Sequence, residues 1–233
     1  MKLRNTNIGV FVKVPSTQVL EIALDAGFDF CLIDLEHSQL GQAEAMRLAS
    51  HAAAIGLPAL ARIAAVDADL VNRLLEAGCR GIQLSTVRTA AQVEELRAAT
   101  RYAPAGSRSI SLAHRRARFG AMTMAEYLAA EEAEPPLVVA QIETATTVDP
   151  LEEILTAGPD AVFIGTADLR ADVGLDEEAF AARAAEVCDA VESAGIVLGA
   201  IGLEDPRITY RVLSSDLALL QGAAAAAVAD ARS

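Results

Sequence analysis

Short apolar runs alternate with segments of helical spacing along this chain, and that alternation limits its fold more than any other feature. The runs are "IGVFVKV" (8–14), "DFCLID" (29–34), "PALARI" (58–63), "GIQLS" (81–85), "LVVAQIE" (137–143), "AVFIG" (161–165), "IVLGA" (196–200) and "LALLQG" (217–222). Between them lie "STQVLEIALDAG", "EAMRLASHAAAIG", "DADLVNRLLEAG" and similar stretches, several ending in a Gly that suits a helix C-cap. Near-continuous apolar strands are buried on both faces, and their alternation with helices implies a parallel sheet. Eight of them in 233 residues predict an α/β fold, a closed (β/α)₈ TIM barrel forming a single domain over 1–233. An open doubly wound sheet is the competing architecture, but no strand runs into a Gly-x-Gly-x-x-Gly turn. The stretch 103–136, "APAGSRSISLAHRRARFGAMTMAEYLAAEEAEPP", is the one long βα excursion, and such loops are usually functional or disordered.

Composition narrows the partners. An apolar content of 53% with 22% charged residues describes a folded chain with ample core. A net charge of −13 argues against nucleic acid, whose phosphates require clustered Lys and Arg. No apolar run is long enough to span a membrane, and "MKLRNTNIGVFVKV" lacks the pattern of a secretory signal. Cys31, Cys79 and Cys188 form no CxxC motif and read as reduced thiols of a cytoplasmic protein. The Ala-rich "GAAAAAVADARS" predicts a docked helix rather than a tail.

In a barrel, chemistry gathers at the C-terminal ends of the strands. The polar residues placed there are Lys13, then Asp34, Glu36 and His37, then Arg62, Gln83 and Ser85. Gln141 and Glu143 follow on the fifth strand, with Thr166 and Asp168 after the sixth. The seventh and eighth strands offer nothing ionisable, so the reactive groups occupy one arc.

Glu143 and Asp168 follow adjacent strands and can converge on a hard divalent ion such as Mg²⁺ or Mn²⁺, with Co²⁺ or Zn²⁺ as further candidates. The competing reading is an N-cap, since both open helical segments. Asp34, three residues before His37, could hold one imidazole nitrogen and leave the other as a base; a packed loop histidine is the alternative. Glu36 could be simply solvated. Arg62, flanked by apolar residues, suits a carboxylate ligand or an internal salt bridge with Asp34 or Glu143. His51 falls within a helical pattern and reads as structural. His114, beside Arg115, Arg116 and Arg118, could touch substrate or be exposed. Lysine occurs only at Lys2 and Lys13, and a single candidate amine disfavours imine chemistry.

With these residues in place, the chain resembles the HpcH/HpaI family of metal-dependent pyruvate aldolases. The resemblance runs through "DFCLIDLEHS", "ARI" followed by "LVNRLLEAGCRGIQL", "ATRYAPAGSRS", "QIETATTVDPLEEIL" and "VFIGTADLRADVG". It implies Glu143 and Asp168 as metal ligands, His37 as base oriented by Asp34, and Arg62 as the pyruvate and enolate partner. Gln141 would lie beside the metal, and amides near Gly165 and Ala167 would meet the pyruvate carboxylate. It also implies trimers or hexamers that exchange C-terminal helices. The chain departs from the family pattern at Ser85 and Thr166, where Pro is usual, at Arg170, where Ser is usual, and in a shorter C-terminus. Arg170 could recognise a second substrate carboxylate.

The function so implied is reversible cleavage of a 4-hydroxy-2-oxo acid to pyruvate and an aldehyde. Citrate-lyase-like or malyl-CoA-lyase-like chemistry is the nearest alternative, and a catalytically dead binding barrel is the other.

Overall fold

The computed structural model describes residues 7–233; Lys2 lies outside them. The strands are β1 (Asn7–Val12), β2 (Phe30–Asp34), β3 (Ala59–Ile63), β4 (Gly81–Leu84), β5 (Leu137–Ile142), β6 (Ala161–Ile164), β7 (Val197–Ile201) and β8 (Ile208–Ser215). All neighbours are parallel, and β8 closes on β1, so the sheet is a (β/α)₈ barrel. The outer helices are α1 (Thr17–Asp25), α2 (Gln42–Ile55), α3 (Ala68–Ala77), α4 (Ala90–Thr100), α5 (Met124–Ala133), α6 (Leu151–Thr156), α7 (Thr166–Asp172), α8 (Glu177–Ser193) and α9 (Asp216–Arg232). No helix among the described residues is long and apolar enough to cross a membrane.

Two apolar clusters follow from the pleat. Phe11, Phe30, Leu32, Leu60, Val139 and Phe163 belong to the one inside the barrel. The larger cluster joins the outward residues of the strands to the helices, as with Val71, Leu74 and Leu75 of α3, whose spacing puts them on one face. Because side chains alternate along a strand, the inward set continues upward through Lys13, Asp34, Arg62, Gln83, Gln141 and Glu143. Strand register then sets Asp34 beside Arg62, and Arg62 beside Gln83.

The last strand differs from the sequence reading. The run "LALLQG" lies in α9, whose first residue follows the N-cap Ser215; its hydroxyl accepts from the Ala218 N–H. The strand is "ITYRVLSS" instead, with Ile208, Tyr210 and Val212 buried alternately. Period-two burial interrupted by Thr209 and Arg211 marks a half-covered strand, which a search for continuous apolar runs overlooks. The C-terminal segment is helical as expected, but Asp216 is its sole buried residue, so α9 stands against the barrel only at its base.

The excursion 103–136 is an anchored structure rather than a loose loop. It holds a short 3₁₀ turn at 115–120 and α5. Buried Glu131 of α5 pairs with Arg108 at 2.9 Å and with Arg116, while Arg108 also reaches Asn72 of α3 at 2.9 Å. His114 is buried there, with Nε2 at 2.9 Å from the Ser111 carbonyl. His51 of α2 faces Glu21 of α1 at 2.9 Å, a structural surface pair.

Leu32 is fully buried inside the barrel. Leu32→Ala should therefore lower the unfolding free energy by about 2–5 kcal/mol in a urea titration. A loss under about 1 kcal/mol would contradict a close-packed barrel interior.

Candidate active site

Asp34 ends β2 wholly buried, and what surrounds it organises the mouth of the barrel. Arg62 grips it as a fork, Nε to Oδ1 at 2.9 Å and Nη2 to Oδ2 at 2.6 Å. Lys13 Nζ lies 3.1 Å from Oδ2, and the N–H groups of Glu36 and His37 donate to Oδ1 at 3.1 and 3.2 Å. Burial pushes the Asp34 carboxyl up, but the Arg62 fork, the His37 N–H and Lys13 outweigh it and hold the pKa at about 2.

The loop after β2 is pinned by this carboxylate. Ser38 Oγ donates to the Asp34 carbonyl, and Lys13 Nζ donates to the His37 carbonyl at 3.0 Å. Glu36 is not freely solvated: it accepts from the Ser85 hydroxyl and lies 3.4 Å from Arg62 Nε. The departure at Ser85 thus has a local partner.

The expected pairing of Asp34 with the His37 ring does not form. Asp34 takes the His37 main-chain N–H, because two cations and the turn already use its oxygens. The ring is 53% exposed, and its Nε2 lies 3.7 Å from Glu36, beyond hydrogen-bonding distance. Lys13 is held between the Asp34 carboxylate and the His37 carbonyl, so its side-chain nitrogen is committed to both.

Glu143 follows β5 and is almost fully buried. Its Oε1 accepts from both the N–H and the hydroxyl of Thr86 at 2.7 Å, and its Oε2 accepts from Gln141 Nε2. Thr86 makes both bonds from a left-handed backbone, φ 50°, which a β-branched residue adopts only where its surroundings demand it. Burial raises the Glu143 pKa, and the charge of Asp168 raises it further, against the donors of Thr86 and Gln141. Two adjacent like charges favour a cation between them.

Gly165 makes the close approach possible. A Cβ there would lie 2.2 Å from Glu143 Oε2, so any other residue would displace the carboxylate. Its N–H donates to the Ile142 carbonyl at 3.1 Å and is not free for a substrate, contrary to the expectation for Gly165. Thr166 is also committed, its hydroxyl donating to the Ile201 carbonyl at 2.8 Å.

A cleft of about 290 Å³ opens among Phe11, Lys13, His37, Arg62, Gln141 and Asp168, with Ala167 on its wall. Arg62 also stacks over Phe11, 4.4 Å from the ring centroid. Arg170 does not line this cleft. It pairs with Glu177 at 3.1 Å and covers the Phe180 ring at 3.9 Å, so the structure does not bring it to the other candidates. The 103–136 excursion contributes none of the cleft's lining.

No group of three or more His, Cys, Asp or Glu side chains among the described residues could enclose a metal. Two carboxylates, with waters and substrate oxygens completing the shell, fit the habit of Mg²⁺ or Mn²⁺. They do not fit a closed structural zinc site, which needs four protein ligands. Sequence reading missed Thr86, whose backbone left no signal, and Tyr210, hidden with β8.

Two predictions follow from this geometry. Asp34→Asn would remove the carboxylate that Arg62 forks, leaving it only Glu36 at 3.4 Å, and should cost about 3–5 kcal/mol in a urea titration, whereas Asp34→Leu with Arg62→Met should cost far less. The ionised Asp34 contributes stability fully above the unfolded carboxyl value of about 3.9, and that contribution is lost as pH falls through about 2. Asp168→Asn removes one of two like charges, so the metal-free variant should melt no lower than the wild type. It should lose the Mn²⁺-induced rise in Tm, a stabilisation of about 2.7 kcal/mol when the ion is at 100 times its Kd. An undiminished rise would exclude Asp168 as a ligand.

The family described as HpcH/HpaI aldolase/citrate lyase matches residues 7–204. A hydroxypyruvate/pyruvate aldolase of Cupriavidus necator is 35% identical over 173 residues, 73% of this chain and 63% of that protein. A 2-keto-3-deoxy-L-rhamnonate aldolase of Klebsiella pneumoniae is 34% identical over 176 residues, 75% of this chain and 65% of that protein. The matched stretches thus span slightly under two thirds of both relatives. The crystal structure of an HpcH/HpaI aldolase from Desulfitobacterium hafniense superposes with a TM-score of 0.89 at 26% identity, covering 98% of this chain and 93% of that one. The chain belongs to the HpcH/HpaI aldolase/citrate lyase family.

Proposed function

We propose that the barrel is a class II pyruvate aldolase, a carbon–carbon lyase that reversibly cleaves a 4-hydroxy-2-oxo acid to pyruvate and an aldehyde. The observation that carries this reading is a cleft lined by Asp168, Arg62, His37 and Gln141, with Gln141 donating to the buried Glu143, whose pKa the charge of Asp168 helps to raise. Glu143 and Asp168 would hold Mg²⁺ or Mn²⁺, which when bound polarises the 2-keto oxygen as a Lewis acid.

The chain's own residues supply the rest. Arg62, preorganised by its fork to Asp34, puts positive charge where the enolate oxygen forms. His37 takes the proton of the 4-hydroxyl as the C3–C4 bond breaks, so the hydroxyl carbon leaves as the aldehyde. The bonding pair passes to the pyruvate enolate, which is then protonated at C3. Ala167 offers a main-chain N–H to the 2-oxo acid's carboxylate. The cleft's volume suits a small oxo acid better than a CoA thioester.

The reading includes a homo-oligomer, trimer or hexamer, supported by Leu217, Leu219, Leu220 and Val228 exposed on α9. A cytoplasmic location is supported by Cys31, Cys79 and Cys188, all free and buried.

The half-reaction tests the proposal. With Mn²⁺ and no aldehyde, the protein should exchange the methyl protons of pyruvate in D₂O, followed by NMR, and should decarboxylate oxaloacetate. His37→Ala should slow aldol cleavage at least about 100-fold, yet decarboxylation, with no hydroxyl proton to remove, by less than about tenfold. Turnover of a CoA thioester without metal-dependent exchange would favour the citrate-lyase-like alternative.

A further inference from the structure

The interior of the barrel holds a polar chain that runs from its far wall to Glu143. Tyr210 of β8 donates its hydroxyl to Gln83 Oε1 of β4 at 2.9 Å, across the barrel. Gln83 Nε2 donates to Gln141 Oε1 of β5 at 2.5 Å, and Gln141 Nε2 donates to Glu143 Oε2. All four side chains are almost fully excluded from water.

Such a chain has one direction. An ionised carboxylate only accepts, so Gln141 must turn its nitrogen toward Glu143 and its carbonyl toward Gln83. Gln83 must then present its nitrogen to Gln141 and its carbonyl to Tyr210, which is left to donate. The carboxylate therefore sets the direction of both amides, and the Tyr210 hydroxyl completes it by supplying the donor that Gln83 Oε1 requires. The opposite orientation would set a carbonyl oxygen against a carboxylate in a buried site, where unpaired polar groups are costly.

The barrel is shaped around the terminal donor. The Tyr210 ring stacks on Phe30 at 4.9 Å and meets Phe163 edge-on at 5.6 Å. A Cβ at Gly199, its register partner on β7, would lie 2.3 Å from Tyr210 Cδ1, so the phenol crosses the barrel because residue 199 has no side chain. A buried Tyr and two buried Gln would be expensive in an apolar barrel unless fully paired.

We infer that Tyr210 and Gln83 are positioning residues that, through Gln141, hold the Glu143 carboxylate in the orientation that binds the divalent ion. The inference rests on the reading of Glu143 and Asp168 as a metal pair, and one experiment separates the two. Mn²⁺ affinity of the metal-free protein is measured by electron paramagnetic resonance of the free ion, with Tm recorded alongside. The proteins are the wild type, Tyr210→Phe, Gln83→Met and the double variant.

Tyr210→Phe keeps the ring contacts and removes only the donor; it should weaken Mn²⁺ binding at least about threefold, and Gln83→Met about tenfold. Because the groups act as one chain, the double variant should bind Mn²⁺ within about twofold of Gln83→Met alone. A chain that serves only packing would lower Tm and leave Mn²⁺ affinity unchanged. That result, or effects that multiply in the double variant, would overturn the proposal. Should Gln83→Met fail to fold, Tyr210→Phe decides alone: affinity equal to the wild type refutes the chain's role. No Mn²⁺ binding by the wild type would remove the metal reading and this inference with it.

Discussion

The mouth of this barrel depends on one buried charge. Asp34 is an anion wholly out of water, and it persists because Arg62, Lys13 and two loop N–H groups converge on it. Each of those partners has a further consequence. The fork aims the guanidinium from β3, and the ammonium ties β1 to the loop after β2. The N–H bonds fold that loop so that His37 stands at the cleft. A buried pair of this kind adds little net stability over apolar packing, but it leaves one arrangement of its surroundings.

The second charge centre is built on the opposite principle. Asp34 is neutralised within the protein, whereas the charge of Asp168 raises the pKa of Glu143, and neither has a cation partner among the described ion pairs. Thr86, in a strained backbone, and Gln141 orient Glu143 without cancelling its charge. On the proposed reading, Arg62 would be a fixed cation for a developing enolate, and the two carboxylates would be left for a mobile one.

Much of this was legible in the sequence. Seven strands show as apolar runs because parallel strands covered on both faces admit few polar residues, and their ends named Asp34, Arg62, Gln141, Glu143 and Asp168. The eighth was misplaced because Thr209 and Arg211 interrupt its apolar run while the leucines of α9 look more like a core. The Asp34–His37 spacing is real, but spacing cannot distinguish an imidazole from the amide of the same residue. Arg170, singled out because it differs from the family pattern, turned out to serve Glu177 and Phe180 on the outside. Thr86 was invisible, since its importance lies in a φ angle.

The most direct measurement is a crystal structure of the protein grown with Mn²⁺ and pyruvate, with anomalous scattering recorded at the manganese edge. The expected result is one anomalous peak bridging the Glu143 and Asp168 carboxylates, with the 2-oxo acid in the cleft beside Arg62. An ion bound elsewhere, or pyruvate bound with no ion between those two carboxylates, would contradict it.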